Sequence, residues 1–240
     1  MPAFKIIAKH KALSLLITVF STFTVHAQTI RFEEKDFEIV NVKASVVDFN
    51  GEKVLKAERD LNTIPFDINR LEETVDEPTF LKLKNVNLEN GIVEMKILAQ
   101  IQNPSPFEAS RGFIGIAFRI NDDNSQFESI YLRPRNGRSD NQIQRNHSVQ
   151  YFSYPNFKFE KLRHPKYSGQ YETYADMGLN EWITMKIEIK DQRATLYLND
   201  QKYPSFIVNP MLGTLKNGSI GLRVDIGTIG YFKDIKITKY

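Results

Sequence analysis

Alternation of apolar and polar residues is the feature that most limits how this chain can fold. In residues 183–190, for example, Ile or Met alternates with Thr, Lys or Glu. Successive side chains of a β-strand point to opposite faces, so this pattern is typical of a strand buried on one side. No long segment after residue 27 keeps the spacing of about 3.6 residues that marks an amphipathic helix. The pattern therefore predicts an all-β protein.

Turn-forming residues separate the alternating segments. Asn50-Gly51 lies between the first two strands, and both residues tolerate the positive φ of a type I′ hairpin turn. We expect a short helix or irregular crossing at 61–73 and an exposed, proline-containing loop at 103–111. The predicted strands are residues 44–49, 53–58, 80–83, 91–100, 113–120, 127–133, 148–154, 182–190, 194–199, 219–224 and 231–239. Strands of this kind favour one β-sandwich domain of two antiparallel sheets over residues 28–240, with a closed barrel as the alternative.

The alternation also assigns side chains to the two faces of each sheet. The set predicted to face the core between the sheets is Ile114, Ile116, Phe118, Ile120, Ile130, Leu132, Ile183, Met185, Ile187 and Ile189. The set predicted to face outward from the strands at 113–120 and 127–133 is Phe113, Gly115, Ala117, Arg119, Ser129, Tyr131 and Arg133. Small residues fringed by Tyr and Arg suit a shallow ligand groove, although an ordinary solvated sheet face has the same pattern.

Residues 1–27 have the features of a secretory signal peptide in the expected order. Lys5, Lys9 and Lys11 precede an apolar stretch at 12–25, and Ala27 supplies the small residue before a cleavage site at Gln28. The alternative, a membrane anchor, needs roughly 20 apolar residues, and this stretch is shorter and interrupted by Ser and Thr. We therefore expect cleavage, no membrane span in the mature chain, and a secreted or periplasmic location.

Charge and cysteine content exclude several classes of site. The chain has 32 Lys plus Arg and 29 Asp plus Glu, a formal net charge of +3. Removal of residues 1–27 takes away three lysines and no acid, so the mature chain is neutral. Overall basicity therefore does not indicate a nucleic-acid or membrane partner. The absence of cysteine excludes disulfides, thiolate metal sites and a cysteine nucleophile.

Residues 131–166 concentrate positive charge, with a net charge of +6, both mature histidines and six aromatic residues. Aromatic rings stack on the apolar face of a pyranose, and Arg donates paired hydrogen bonds to a carboxylate or sulfate. The segment thus predicts a site for an oligo- or polysaccharide, neutral or anionic, with a solvated loop over packed aromatics as the alternative. Export and zero net charge argue against nucleic acid. The candidate ligand-binding residues are Arg119, Tyr131, Arg133, Arg138, Arg145, His147 and Tyr151.

Hydrolysis of a glycosidic bond ordinarily requires two carboxyl groups, one acting as an acid and one as a nucleophile or base. Glu128 has the strand parity of the inward-facing residues, so it is either an acid with a pKa raised by burial or a buried hydrogen-bond acceptor. His147 is a candidate general base, with a structural histidine as the alternative. The candidate carboxylates are Glu128, Asp140, Glu172 and Asp176. No arrangement of Ser, His and Asp indicates a nucleophilic triad.

Residues 121–124, Asn-Asp-Asp-Asn, offer oxygen ligands at a turn between two predicted strands. Calcium prefers such hard oxygens, so Asp122 and Asp123 are candidate calcium ligands, although a run of turn-forming residues is most simply a turn. Zinc lacks a ligand set, and no other cofactor is indicated.

The C-terminal two thirds of the chain carry a recognisable succession of strands. The segments are EWITMKIEI at 181–189, ATLYLN at 194–199, GSIGL at 218–222 and FKDIKI at 232–237, preceded by GIAFR at 115–119, ESIYLRP at 128–134 and NHSVQY at 146–151. This succession resembles the concanavalin A-like lectin and glucanase superfamily, and within it the 3-keto-disaccharide hydrolases and laminin-G-like modules. The resemblance implies a jelly-roll sandwich whose concave sheet handles carbohydrate. The Glu-x-Asp-x-Glu run of the family's laminarinase-type glucanases is absent here.

Three functions fit these observations. The first is an exported domain that binds a saccharide on the concave sheet and its Arg- and aromatic-rich loop. The second is a glycoside hydrolase of the 3-keto-disaccharide type that uses one of the four carboxylates. The third is a laminin-G-like structural or adhesion module, which would not bind sugar.

Overall fold

The computed structural model describes residues 28–167 and 169–240, so the predicted signal peptide lies outside the described residues. Within them the chain forms fifteen strands: β1 (Thr29–Phe32), β2 (Lys35–Val40), β3 (Val42–Phe49), β4 (Glu52–Arg59), β5 (Phe80–Leu83), β6 (Gly91–Ile101), β7 (Ile114–Ile120), β8 (Phe127–Leu132), β9 (Val149–Tyr154), β10 (Glu172–Thr173), β11 (Ile183–Lys190), β12 (Arg193–Leu198), β13 (Phe206–Val208), β14 (Ser219–Val224) and β15 (Thr228–Lys239). Four short helices lie in the connections: α1 (Leu71–Thr74), α2 (Pro134–Gly137), α3 (Gln142–Asn146) and α4 (Phe159–Leu162).

The strands form two antiparallel sheets. The eight-stranded sheet has the order β1-β2-β5-β14-β7-β8-β9-β10, and the seven-stranded sheet has the order β13-β12-β11-β6-β15-β4-β3. Six of the thirteen neighbouring pairs in these orders join strands that are not consecutive in sequence, as expected for a jelly roll in which the chain crosses between sheets. The predicted all-β jelly-roll sandwich is confirmed, and the closed barrel is not observed.

The core between the sheets contains the side chains that alternation placed there. Every residue of the predicted inward-facing set is at most 1% exposed. The two sheets approach closely at Gly230 of β15, where a Cβ atom would lie 3.1 Å from Cδ1 of Ile114 on β7. Packing of this kind supplies most of the stability of a sandwich without disulfides, at about 25 cal/mol per Å² of buried apolar surface.

Each strand predicted from the sequence is present, with ends that shift by at most three residues. The Asn50-Gly51 turn joins β3 to β4, and its two residues have φ values of 55° and 84°, as a type I′ turn requires. The prediction missed β1, β2, β10 and β13, which are short or rich in charge. As expected, the crossing at 61–73 contains a 3₁₀ turn and most of α1.

The outer face of the eight-stranded sheet differs from the prediction. Ser129, Tyr131 and Arg133 do point away from the other sheet, but they are at most 5% exposed because connecting segments cover them. Phe107, predicted to lie in an exposed loop, is one of the covering residues and is 9% exposed. Gly115 is required beneath this cover, since a Cβ atom there would lie 2.5 Å from Cα of Tyr131. Strand parity was therefore correct, but it contains no information about what lies over a face.

Arg119 does not face outward as alternation predicted. The register of β7 against β14 shifts between Ser219 and Gly221, and Arg119 has a φ of 53°, which marks a β-bulge. The bulge turns the side chain inward, where Nη1 donates to Oε1 of Glu128 over 3.4 Å and Nη2 donates to the carbonyl of Asp191 at the β11–β12 turn.

Among the described residues, none of the helices has the length and apolar character needed to cross a bilayer.

Candidate functional site

A cleft of ≈ 270 Å³ opens on the outer face of the eight-stranded sheet, over the ends of β7, β8 and β14. We call this feature the cleft throughout. Its apolar wall is formed by Leu71, Val75, Phe107, Ala109, Phe113, Phe159 and Ile226. Its polar wall and floor are formed by Asp76, Arg111, Tyr131, Arg133, Asn136, Gln144, His147, Arg163 and Asp225.

The apolar wall is a small hydrophobic cluster separate from the main core. Val75, Phe107 and Ile226 are buried in it. The Phe107 ring stacks on that of Phe113 at 6.5 Å between centroids, and Phe113 meets Tyr131 edge-on at 6.2 Å. Four connections of the sandwich thus contribute to the apolar wall, and two of them, β6–β7 with Phe107 and Phe113 and β9–β10 with Phe159, present aromatic surface to the cleft.

Arg133 organises the polar wall. It follows the last residue of β8 and is buried, and its Nη2 donates to Tyr131 Oη over 2.6 Å and to Oε1 of Gln150 over 3.3 Å. Its Nη1 donates over 3.1 Å both to the carbonyl of His147 and to Oε1 of Glu172. Burial raises the pKa of Tyr131, so its hydroxyl stays protonated. All of these groups are held in one geometry because each hydrogen bond restricts the next.

Glu172 lies directly behind the polar wall and is contacted by three basic side chains. Besides Arg133, Arg163 donates from Nη2 to Oε1 over 2.9 Å, and Nδ1 of His147 lies 2.5 Å from Oε2. Burial alone would raise the pKa of Glu172, but Arg163, Arg133 and His147 together hold that pKa below its usual value. Glu172 is therefore a carboxylate at neutral pH.

His147 caps the C-terminal end of α3, and its side chain is about 29% exposed toward the cleft. Burial lowers the pKa of His147, and the neighbouring charges of Arg163 and Arg133 lower it further, against the attraction of Glu172. The imidazole is thus neutral near pH 7, with one ring nitrogen facing a carboxylate. Such an arrangement is suited to a general base.

A buried ion cluster supports the floor. Arg223 of β14 donates from Nη2 to Asp225 over 2.7 Å and to Asp76 over 3.3 Å, and Arg59 donates to Asp225 over 2.8 Å. Arg59 also donates to the carbonyls of residues 64, 65 and 74, which fixes the 61–75 crossing over the sheet. Burial raises the pKa of Asp76, whereas Arg223 and Arg59 hold the pKa of Asp225 below its usual value against the effect of burial.

Asn136 of α2 leaves a buried acceptor at the cleft. Its side-chain amide donates to the carbonyl of His147 over 3.3 Å, whereas its Oδ1 has no hydrogen-bond partner in the described part of the chain. A buried carbonyl oxygen without a donor costs free energy, about 1–3 kcal/mol in typical cases.

Tyr131, Arg133 and His147 are the predicted binding residues that the structure brings together at the cleft. Arg138 and Arg145 lie outside its lining, where Arg138 pairs with Asp176 and Glu181 and Arg145 donates to the Tyr174 hydroxyl over 2.7 Å. The candidate carboxylates Asp140 and Asp176 are both exposed and also lie outside the lining.

Glu128, Arg119 and Tyr151 form a separate cluster inside the sandwich. Tyr151 is fully buried, and its hydroxyl donates to Glu128 and accepts from the Leu212 amide over 2.7 Å. Burial raises the pKa of Glu128, as predicted for a residue of this parity, and its carboxyl also accepts from the Gly213 amide. These contacts fix the 211–213 loop to the sandwich, away from the cleft.

Oxygens of the Asn-Asp-Asp-Asn turn bind a lysine side chain. Nζ of Lys82 donates to the carbonyls of Asn121 and Asp122 over 2.7 and 3.0 Å, and to Oδ1 of Asn124 over 2.9 Å. Asp123 accepts from Ser125 within the turn. No cluster of three or more acidic or histidine side chains suitable for a metal occurs in residues 28–167 and 169–240. The predicted calcium site at Asp122 and Asp123 is therefore not supported.

Several cleft residues were not predicted as site residues. Arg163 lies in the positively charged segment, and Phe113 carried the outward parity of β7, so both had a signal in the sequence. Asp76 and Asp225 had no signal in the sequence, because they are 149 residues apart and meet only in the folded structure.

Several solved structures are similar to this chain. The carbohydrate binding module CBM66 from Bacillus subtilis has a TM-score of 0.51 at 13% identity, with 83% of this chain and 96% of that chain covered. A putative glycosyl hydrolase from Parabacteroides distasonis has a TM-score of 0.46 at 15% identity, covering 83% and 94% of the two chains. Bacillus licheniformis β-glucanase has a TM-score of 0.39 at 9% identity, covering 88% and 82%. The likeness to the binding module shows a common fold.

The amino-acid sequence itself identifies the family. No curated protein matches the chain. Residues 93–238, more than half of the chain, match the family model of the 3-keto-alpha-glucoside-1,2-lyase-like domain. This segment runs from β6 to β15 and contains every polar lining residue of the cleft except Asp76. The chain therefore belongs to the 3-keto-alpha-glucoside-1,2-lyase-like domain family and is a carbohydrate-binding or glycosyl hydrolase-like domain.

Proposed function

We propose that the protein binds a short saccharide in the cleft. A volume of ≈ 270 Å³ lies just below the roughly 300–1,000 Å³ usual for small-molecule sites. That size suits one or two sugar rings rather than a polysaccharide chain held along its length. A longer glycan would enter by one end.

The observation that carries this proposal is the mixed lining of the cleft. The lining includes the aromatic residues Phe107, Phe113 and Phe159, and also the amides Gln144 and Asn136, whose Oδ1 is buried without a donor. A pyranose has an apolar face and a rim of hydroxyl groups, so it suits a lining that contains both kinds of group. Arg133 acts as a positioning residue, because its Nη1 and Nη2 already donate within the network, to Glu172 and to the Tyr131 hydroxyl among others.

Isothermal titration with neutral and acidic mono- and disaccharides tests this proposal. In Phe159→Ala the affinity should fall by at least about fivefold, since a stacked aromatic contributes about 1–3 kcal/mol. Tyr203→Ala is the matched control, because Tyr203 is 72% exposed and lies outside the cleft. Equal loss in both variants would contradict the proposed site, and no binding by the wild type would favour a structural or adhesion module.

A second function is favoured by His147 and Glu172 together with the family. A lyase acting between C1 and C2 of a 3-keto-glucoside must remove the C2 proton, which the neighbouring ketone makes acidic. The neutral imidazole of His147, with Nδ1 2.5 Å from Glu172, is the available base in the cleft. We therefore propose cleavage of a 3-keto-glycoside as the alternative to binding alone.

The proposed step conserves atoms and protons. The other ring nitrogen of His147, Nε2, takes the C2 proton, and the electron pair of that bond passes into the enolate of the 3-ketone. Collapse of the enolate forms a C1–C2 double bond as the C1–O bond breaks. The leaving oxygen then takes the proton from the imidazolium, whose charge Glu172 stabilises until that moment. Addition of water to the unsaturated sugar makes the overall result a hydrolysis.

Product release from 3-keto and unoxidised forms of one disaccharide, followed by mass spectrometry, tests cleavage. We expect release from the 3-keto form only, and a loss of about 10²–10⁴-fold in His147→Ala, the usual contribution of a general base. His164→Ala is the matched control, because His164 is exposed and outside the cleft lining. Unimpaired cleavage in His147→Ala would exclude this role, and no cleavage of either form would leave binding as the function.

We also propose that the chain is exported after cleavage before Gln28. The support is the order of the three lysines, the apolar stretch and Ala27 in the sequence. N-terminal sequencing of the protein recovered from a periplasmic or culture fraction should begin at Gln28. A mature protein that begins at Met1 would contradict the proposal.

A further inference from the structure

We infer that the cleft selects a saccharide carrying an anionic group, a carboxylate or a sulfate ester, and that Arg111 binds this group. The inference rests on the proposed saccharide binding and adds the substrate class and the residue that would recognise it.

The charged groups of the cleft other than Arg111 pair with one another or with a buried neighbour. Arg133 and Arg163 both donate to Oε1 of Glu172, over 3.1 and 2.9 Å. Asp76 and Asp225 both accept from Arg223, over 3.3 and 2.7 Å. These groups are therefore compensated before any ligand arrives.

Arg111 differs from them. It is partly buried at the entrance to β7, and its Nη1 donates to the carbonyl of the preceding residue, Ser110, over 3.2 Å. No carboxylate of residues 28–167 or 169–240 forms an ion pair with it. Most of the five N–H donors of this guanidinium are thus free for a ligand.

A second cation lies beside the first. Nη1 of Arg135 donates over 3.4 Å to the same Ser110 carbonyl oxygen, so the two guanidinium groups are neighbours. The backbone amide of Arg135 also donates to the carbonyl of Arg111 over 3.1 Å, which fixes α2 against the 103–111 loop. Burial and the charges of Arg135 and Arg133 lower the pKa of Arg111.

The two adjacent guanidinium groups repel each other, and a bound anion would offset this repulsion. The planar fork of an arginine matches the two oxygens of a carboxylate or sulfate, and such charge-assisted pairs are stronger than bonds to neutral hydroxyls. Arg111 lines the cleft together with Asn136. One saccharide can therefore place a hydroxyl at Asn136 Oδ1 and an acidic substituent at Arg111.

Isothermal titration with matched ligands tests the inference. The probes are the methyl glycosides of glucose and galactose, the corresponding uronates and the 6-sulfates, each with wild type, Arg111→Gln, Arg135→Gln and Arg193→Gln. Arg193 is exposed at the start of β12 in the seven-stranded sheet, so its substitution is the control of equal charge change. The uronate and 6-sulfate arms distinguish the two anionic groups.

We expect the wild type to prefer one anionic form over its neutral counterpart by about tenfold or more, the range of hydrogen bonds to charged groups. Arg111→Gln should abolish the preference, so that its affinities for the neutral and anionic forms agree within about twofold, and Arg193→Gln should keep the wild-type affinities within about twofold. Added salt should weaken the preference. The melting temperature of Arg111→Gln should be unchanged or higher, since a repulsive pair is removed.

Two results would overturn the inference while saccharide binding stands: equal affinity for neutral and anionic forms, or a preference that survives in Arg111→Gln. A lower melting temperature in Arg111→Gln together with loss of neutral-sugar binding would show a structural role for Arg111 and would also overturn it. Failure of the wild type to bind any of these probes would count against the inference and the proposed function together.

Discussion

Nη1 of Arg133 donates to Oε1 of Glu172 over 3.1 Å, although 39 residues separate the two in sequence. The contact joins the end of β8 to the two-residue strand β10 at the edge of the sheet. The Glu172 carboxylate also accepts a hydrogen bond from Arg163 and lies against the imidazole of His147. The geometry of the polar wall of the cleft thus depends on one partly buried negative charge.

Loss of that charge should destabilise the protein. In Glu172→Gln the buried Arg133 keeps its charge without compensation, so we expect the free energy of unfolding to fall by about 2–4 kcal/mol. Urea denaturation measures the difference. Glu181→Gln is the matched control, since Glu181 forms an exposed pair with Arg138 and should cost no more than about 1 kcal/mol. Equal effects of the two substitutions would contradict the role of Glu172.

The stabilisation by Glu172 should depend on pH. Against the effect of burial, Arg163, Arg133 and His147 hold the folded pKa of Glu172 below its usual value of 4.5. The stability difference between the wild type and Glu172→Gln should therefore be complete above pH 4.5 and shrink as the pH falls through the folded pKa. A difference that is constant down to acid pH would contradict this.

His147 should titrate below its usual pKa of 6.5, because burial disfavours the imidazolium. The unfolded chain then takes up this proton before the folded one does, so the contribution of His147 to stability is full above pH 6.5 and lost as the pH falls toward the folded pKa. NMR titration of the imidazole, assigned with His147→Gln, measures the midpoint. A midpoint at or above 6.5 would mean that Glu172 outweighs burial.

Substitution within the buried ion cluster should lower the free energy of unfolding more than substitution within an exposed ion pair. Asp225→Asn leaves Arg223 and Arg59, each at most 1% exposed in its side chain, without their shared counter-charge. We expect a loss of about 3–5 kcal/mol in unfolding free energy. Asp176→Asn, in an exposed pair with Arg138, should lose no more than about 1 kcal/mol. A loss of under about 1 kcal/mol in Asp225→Asn would show that the cluster is not a structural support.

The ammonium group of Lys82 should occupy the position at the 121–124 turn where a calcium ion was predicted. Its ammonium group already satisfies the carbonyls of Asn121 and Asp122. Lys82→Met should lower the unfolding free energy by about 1–3 kcal/mol, the range for hydrogen bonds to a charged group. Added calcium should leave the melting temperature of the wild type unchanged, and a rise of several degrees would contradict the account.

The sequence predicted the sandwich because its evidence is local. Ile183 and Met185 on β11 show their parity within a few residues, and parity alone decides which face they occupy. Arg119 was misplaced because a bulge adds a residue to one strand, and nothing adjacent to Arg119 distinguishes it from regular strand. The short strands β10 and β13 exist only through pairing with β9 and β12.

The candidate site could be predicted only in part, for a related reason. Arg133, Tyr131 and His147 lie within one charged segment, so composition drew attention to all three. Tyr151 belongs to the same segment, but its parity sends it into the core with Glu128. The apolar wall and Asp76 come from connections whose path over the sheet depends on tertiary contacts such as Arg59 to the carbonyl of Thr74.

Mapping of protein NMR chemical-shift changes tests the central claim most directly, with a saccharide that binds in the isothermal titration as the ligand. On addition of the ligand to the full chain, the largest backbone amide shifts should cluster at residues 107–113, 134–147 and 159–163, which surround the cleft. The side-chain amide of Asn136 should shift with them. Shifts confined to the seven-stranded sheet, or to the 211–215 loop near Glu128, would contradict the proposal that the cleft is the saccharide site.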